Sequence, residues 1–446
     1  MSELPVRPGD LEAFAALLTP PTAADPYPSY ARWLAERPVA RPRERLYVLS
    51  RFADCEAALA DPAFGRAEDG ADQRPRPLPP GAGRDDDGAN ARSLLRLNPP
   101  DHTRLRRLVS RAFTPARVRE LAPRVEELTA RLLGSALADT VPAGGARAGL
   151  DGAVRTGAAP GGSGRFDLIS GLALPLPVAV ISELLGIPPG DRPRLVAWSA
   201  SLTKSLEPGF LISAEERAKM REARLEFAAY LRGLLPSRRR SPGRDLISAL
   251  IAGHDSDGSL SEDELIGLCM LLLIAGHETT RSLIGALVLA LLRHPGELAA
   301  LVAEPSLAEQ AVEEALRYDP PVQLISRFAL RSTQAAGITI AAGSFVVMLL
   351  GAANRDPALG DDPDQFSVRR AAPRHLTFGH GIHFCLGAPL ARLEAAVALR
   401  QLLPLLPRLR VAGEPQWRPS VVLRGLEHLW LEPVPAAAGP AASSIS

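Results

Sequence analysis

The chain has little cysteine. Among its 446 residues only Cys55, Cys269 and Cys385 carry a thiol, too few and too scattered for a disulfide framework, so a reducing compartment is expected. Lysine is almost missing as well, with Lys204 and Lys219 its sole occurrences, and arginine supplies nearly all positive charge. That bias fits GC-rich coding as well as function and carries no functional weight. Because 51 Lys and Arg offset 50 Asp and Glu, the net charge is +1, which removes any global electrostatic case for nucleic acid or an acidic partner. The opening MSELPVRPGDLEAF lacks the basic, apolar and small-residue order of a signal peptide, so a cytoplasmic protein is expected. Aromatic residues make up only 5%, but hydrophobic residues reach 46%, enough for a large core. The length would suit about three ordinary domains, yet no internal repeat and no linker divides the chain.

One apolar run imitates a membrane span. LIGLCMLLLIAGHETTRSLIGALVLALL, residues 265 to 292, is interrupted at its centre by His277, Glu278, Thr279, Thr280 and Arg281, and ionisable groups there are expensive in lipid. A long helix buried in protein is expected instead. Ser261 with Glu264 makes a capping box, Leu260 with Leu265 the accompanying staple, and RHP at 293 to 295 the stop.

The rest reads as mainly α with small sheets toward the C-terminal end. SLAEQAVEEALRYDPP is expected as a capped helix ended by proline, and GITIAAGSFVVMLLG as a hairpin with a short Ala/Gly turn. Residues 66 to 96, 135 to 165 and the tail after Pro433 are rich in Pro, Gly or Ala and read as irregular.

Cys385 stands between a glycine-rich stretch, LTFGHGIHF, and a segment of helical periodicity, LGAPLARLEAAVALRQLL. It is expected at a loop-to-helix junction, where free N–H groups stabilise a thiolate. Such a sulfur can be a metal ligand, or a nucleophile with His380 or His383 as base, or simply a buried free cysteine. A structural zinc site would need four ligands, and the other cysteines lie far away.

Phe378, Gly381, Cys385 and Gly387 stand as F-x-x-G-x-x-x-C-x-G. This pattern closely resembles the haem-binding signature of the cytochrome P-450 family. Three further motifs follow the family's order: PPDHTRLRRLVSRAFTP at 99 to 115, AGHETT at 275 to 280, and Glu314 with Arg317 as E-x-x-R. The resemblance covers residues 26 to 433, leaving 1 to 25 as an N-terminal extension, 434 to 446 as a flexible tail and 135 to 165 as a surface insertion.

The resemblance implies a single triangular domain around haem b, with Cys385 as axial thiolate to the iron. A cysteinate favours O–O cleavage and hence insertion of oxygen into C–H bonds or alkenes. Ala275 and Gly276 are small enough for a flat ring to lie against the long helix. The Thr279 hydroxyl can bond a preceding carbonyl and open that helix locally, and Glu278 beside it is expected to help deliver protons. On a helix His102 and Arg106 share one face, suited to two haem carboxylates, with Arg327 and His383 as the family's other propionate contacts. Glu314 and Arg317 are expected as a structural ion pair. Leu272, Val322, Leu324 and Ile325, with loops 66 to 96 and 196 to 218, are expected to line the substrate pocket.

The implied activity is hydroxylation or epoxidation of a small hydrophobic molecule, such as a polyketide secondary metabolite, by dioxygen. Since no flavin or iron–sulfur motif is present, electrons should come from ferredoxin and ferredoxin reductase to a monomer that uses neither nucleic acid nor membrane. Arg104, Arg107 and Arg111 project away from the propionate pair and are expected as the ferredoxin's basic patch. The alternatives are a peroxide-driven haem oxidase and a non-oxidising haem or ligand-binding protein.

Overall fold

The computed structural model describes residues 4–19, 25–66, 93–138, 164–257 and 260–434. The interiors of the expected irregular stretch 66 to 96, of the insertion at 135 to 165, and nearly all of the tail lie outside the described residues. Residues 10 to 17 of the expected extension form a helix, Asp10–Leu17, tied to the body by an Asp10–Arg37 ion pair at 3.0 Å and by Phe14 against Trp33.

The apolar run between 260 and 295 becomes one helix, Glu262–Arg293, of 32 residues. Its start is the expected capping box: Glu264 N–H donates to Ser261 Oγ at 3.2 Å, and Ser261 N–H to Glu264 Oε2 at 2.8 Å. Leu260 and Leu265 are both buried beside it. Among the described residues it is the one helix long and apolar enough to cross a bilayer, and most of it is packed inside protein. Helices Pro175–Leu185 and Ala388–Leu402 lie directly against it. At roughly 1.5 Å per residue such a helix reaches across the whole domain.

The largest sheet has five strands in the order Val39–Arg43, Leu46–Leu49, Phe345–Leu349, Leu324–Ala329, Phe64–Gly65. Leu46–Leu49, buried throughout, runs parallel to Phe345–Leu349 with Tyr47 opposite Val346, and the other pairs are antiparallel. The expected hairpin over 337 to 351 does not form. Ile338–Ile340 pairs with Thr333–Ala335, whereas Phe345–Leu349 joins the five-stranded sheet. Both strands were readable from β-branched residues; their partners were not, because Gly343, at φ 76° and bonded through its N–H to Ala329, turns the chain into another sheet.

The helix at SLAEQAVEEALRYDPP runs Ala308–Tyr318, but without the expected side-chain cap. It grows out of a 3₁₀ turn, Pro305–Leu307, and no hydroxyl closes its start.

Candidate active site

Cys385 sits where the sequence placed it, between a 3₁₀ turn at Gly381–His383 and the helix Ala388–Leu402. The loop is pinned from behind. Glu314 and Arg317 form a bidentate pair, both contacts at 2.8 Å, and Arg317 reaches the Pro363 and Gln365 carbonyls at 2.7 and 2.9 Å. Asn354 holds the first residues of the loop through Leu376 N–H at 2.7 Å and Thr377 Oγ1 at 3.0 Å. Gly381 has φ 70°, and a Cβ there would lie 2.5 Å from the Leu59 carbonyl oxygen, so only glycine fits. The loop then closes on itself as Cys385 N–H donates to the Phe378 carbonyl at 2.8 Å.

The Sγ atom of Cys385 receives the N–H groups of Gly387 and Ala388, and the Arg106 and Arg392 guanidinium charges favour its ionised form. Burial outweighs all four and pushes the thiol up from its ordinary value. The expected thiolate therefore needs a cation on the sulfur as well as the helix start. Among the described residues no three His, Cys, Asp or Glu side chains gather as a metal site. Cys55 and Cys269 are buried, with thiols pushed up by burial, and stand apart as core residues.

Beside the cysteine loop lies a cluster of donors only partly satisfied. His102 is buried, with neither ring nitrogen bonded, and His383 Nε2 is likewise unpaired. Arg327 is buried and, among the described residues, donates only to the Ser326 carbonyl at 2.9 Å, while Arg106 donates to the Phe384 carbonyl at 2.6 Å. Burial, reinforced by neighbouring cations, pushes the His102 and His383 imidazoles down, the latter to about 2. Burial alone pushes Arg327 down to about 10. Burial thus disfavours the charged form of every group in the cluster, and no carboxylate among the described residues counters it. A flat group bearing two carboxylates and a metal that takes a single thiolate fits these residues.

The long helix supplies the other wall. Ala275 is exposed in mid-helix, whereas most of its neighbours are buried. A Cβ on Gly276 would approach Ile181 to 3.0 Å, so its smallness serves close packing of two helices. The Thr279 hydroxyl donates to the Ala275 carbonyl at 3.0 Å as expected, but the helix continues unbroken through this turn. Glu278 points elsewhere. Its carboxylate accepts from Arg418 and lies 3.7 Å from Arg281 and 3.5 Å from His277. Burial would raise its pKa, but His277, Arg418 and Arg281 hold it down at about 2. Glu278 and Thr279 are therefore adjacent in sequence without being hydrogen-bonded to each other.

A cavity of about 380 Å³ lies against this helix, with Gly267, Met270, Leu271 and Ile274 on its wall. These positions follow a helical i, i+3, i+4, i+7 spacing. Leu272 is one residue off that face and, like Met270 and Ile274, belongs to the main core. Of the remaining expected lining residues Leu324 is on the wall, while Val322 and Ile325 pack against a separate core cluster. The segment from Leu202 to Gly209 closes the cavity, within the expected 196 to 218 region.

Sequence reading missed Arg66, Arg96, Arg281 and Arg418. Arg281 is signalled by its i, i+3 spacing from Glu278; Arg418 approaches from 140 residues away with no local signal. The expected basic patch needs correction too. Arg104 donates to Glu264 at 2.6 Å and is committed to the start of the long helix, while Arg107 is exposed. The side chain of Arg111 lies outside the described residues.

Comparison with known proteins agrees with this site. The Cytochrome P450 family model matches residues 210–406. Cytochrome P450 monooxygenase PikC of Streptomyces venezuelae is 41% identical over 416 residues, covering 91% of each chain. The 6-deoxyerythronolide B hydroxylase of Saccharopolyspora erythraea is 42% identical over 337 residues, 74% of this chain and 76% of its own. In fold, ligand-free CYP164A2 of Mycobacterium smegmatis superposes with a TM-score of 0.81 at 42% identity, over 95% of this chain and 100% of that one. Identity of this order, carried over nine-tenths of the length, shows that the protein belongs to the cytochrome P450 family and is a monooxygenase built around haem b.

Proposed function

We propose that the protein, as a cytoplasmic monomer, uses electrons from ferredoxin and ferredoxin reductase to hydroxylate or epoxidise a small hydrophobic molecule, as a tailoring step on a secondary metabolite such as a polyketide. The observation that carries this reading is the single thiol of Cys385 beside the carboxylate-free cluster of His102, Arg106, Arg327 and His383. PikC and the 6-deoxyerythronolide B hydroxylase support the reaction class.

Haem b bound through Cys385 supplies dioxygen activation, its thiolate ligation favouring O–O cleavage. The chain's own residues do the rest. His102, Arg106, Arg327 and His383 would hold the two propionates, with Ala275 on the facing wall. The N–H groups of Gly387 and Ala388 stabilise charge on the sulfur. Leu271, Ile274 and Leu324 exclude water from the cavity and orient an apolar substrate. Thr279 exchanges its bond to the Ala275 carbonyl for one to a proton-carrying water. Glu278 lines a second cavity of about 370 Å³, where Lys204, Glu427 and His428 stand among apolar residues such as Leu174 and Val196, and passes protons inward when it releases Arg418.

The test is spectral. Reduced, haem-loaded protein under carbon monoxide should show a thiolate-type Soret band, and Cys385→Ala should lose it. A wild-type-like spectrum from that variant places the ligand elsewhere and overturns the reading.

A further inference from the structure

Arg66 follows the short strand Phe64–Gly65 and is held there by a dedicated clamp. The Asn98 side chain accepts from Arg66 N–H and donates to the Arg66 carbonyl, both at 2.8 Å. Gly65 has no room for a Cβ, which would lie 2.5 Å from Asn98 Oδ1 and 2.6 Å from Leu330 Cδ1. The guanidinium so positioned reaches the Ser326 carbonyl at 3.2 Å, and its Nε is buried without a partner. Among the described residues no carboxylate offsets its charge. Burial, Arg327 and Arg96 together push its pKa down to about 9. A buried guanidinium without a counter-charge is costly, and a bound anion relieves that cost.

Arg66 and Arg96 both stand on the wall of the 380 Å³ cavity, whose other walls are mostly apolar, Leu95, Ile274, Leu324 and Phe345 among them. His102, Arg106, Arg327 and His383 are not on that wall, although Arg66 is close enough to Arg327 and His383 for their charges to interact. The one acid on it, Glu207, is already engaged by the Ser420 hydroxyl and by Val421 N–H. We propose that the cavity takes a substrate whose apolar body ends in a carboxylate, and that Arg66 with Arg96 binds that carboxylate. The proposal rests on the monooxygenase reading of the cavity. A planar guanidinium fork matches a carboxylate with two parallel hydrogen bonds. Anchoring the acid at Arg66 leaves the apolar body along Leu324 and Ile274, on the helix face that leads to Ala275.

The shared chemistry is a carboxylate, and its other source would be a haem propionate. Haem-loaded protein is titrated with straight-chain monocarboxylates and with their methyl esters of equal chain length, and the substrate-induced Soret shift gives each Kd. Acids should bind roughly tenfold or more tightly than esters. Arg66→Gln and Arg96→Gln should each bring that ratio toward one by weakening the acid alone, and Arg66→Lys should restore part of it. Should Arg66→Gln fail to hold haem, Arg96→Gln carries the test. An unchanged acid-to-ester ratio combined with faster haem transfer to apomyoglobin assigns the carboxylate to haem and overturns the proposal. Equal binding of acid and ester by the wild type, or no shift with either, overturns it as well. A thiolate-type carbon monoxide band recorded on the same samples separates this failure from failure of the haem–thiolate reading.

Discussion

The rings of His102 and His383 meet edge to face with centroids 4.4 Å apart and planes at 61°. One comes from the helix Asp101–Ser110 and the other from the turn before Cys385, so the pair locks the cysteine loop to a distant helix. Three of their four ring nitrogens are buried without partners, and buried donors of that kind are normally bonded. His102→Phe and His383→Phe keep the aromatic contact but remove the donors. Each should speed haem transfer to apomyoglobin roughly tenfold, the worth of about one hydrogen bond, with the far-ultraviolet circular dichroism unchanged. Transfer at the wild-type rate would remove the histidines from the propionate cluster.

Thr279 bonds the Ala275 carbonyl through a hydroxyl that can also hold water. Thr279→Val should keep haem and substrate binding while diverting reducing equivalents into hydrogen peroxide or water. The measurement is product formed per NAD(P)H consumed in the reconstituted electron-transfer system. Unchanged coupling would take the hydroxyl out of proton delivery.

Arg418 and Glu278 make a prediction about pH. With its pKa held at about 2, Glu278 stays ionised above roughly pH 4, so it should add no limb to the turnover profile between pH 5 and 8. A depressed carboxylate also stabilises the fold above its ordinary pKa, and that contribution fades as pH falls toward 2. Arg418→Leu removes one of the charges holding the pKa down. Its turnover profile should acquire an acid limb at higher pH than the wild type, and a superimposable profile would show that Arg418 does not control Glu278.

What could be read from the chain was local. The capping box of Ser261 and Glu264, the i, i+3 pair of Glu314 and Arg317 and the junction at Cys385 all depend on neighbours within a few residues. The shared face of His102 and Arg106 follows from helix geometry alone. Which leucines of the long helix face the cavity could not be read, because an apolar run gives no contrast between faces and one residue is 100° on a helix. The hairpin was misassigned because strand propensity says nothing of pairing partners. Arg66 was hidden for a related reason: its clamp is an asparagine 32 residues away.

Glu394, buried on the helix that follows Cys385 with Oε2 unpartnered, has its pKa raised well above the ordinary carboxyl value by burial. The folded state therefore keeps a proton that the unfolded chain releases above about pH 4.5. Folding stability should fall as pH rises from there toward the folded pKa, by up to about 1.4 kcal/mol per pH unit. Glu394→Gln should flatten that slope in thermal unfolding of the haem-loaded protein between pH 5 and 8. An identical slope would mean that the carboxyl is ionised in the fold.

The last prediction concerns electron entry, and the structure divides the arginines that the sequence grouped. Arg104 meets Glu264, whose other carboxylate oxygen accepts from Ser261 N–H at the start of the long helix. Arg104→Glu would set a like charge against a buried acid and should lower the thermal midpoint by a few degrees. Arg107 is exposed on the same helix, and Ile382 and Phe384 expose apolar surface on the cysteine loop. That combination suits an acidic ferredoxin approaching from the cysteine side, where the path to Cys385 is short. Electrostatic docking raises association rates and weakens with salt, because exposed charges are screened over about 10 Å at 0.1 M. Arg107→Glu should therefore slow reduction by ferredoxin at low ionic strength, with the difference closing as salt is added. Peroxide-supported turnover and the thermal midpoint should stay near wild type. If peroxide-supported turnover falls in parallel, Arg107 supports the fold or the haem, and the docking assignment fails.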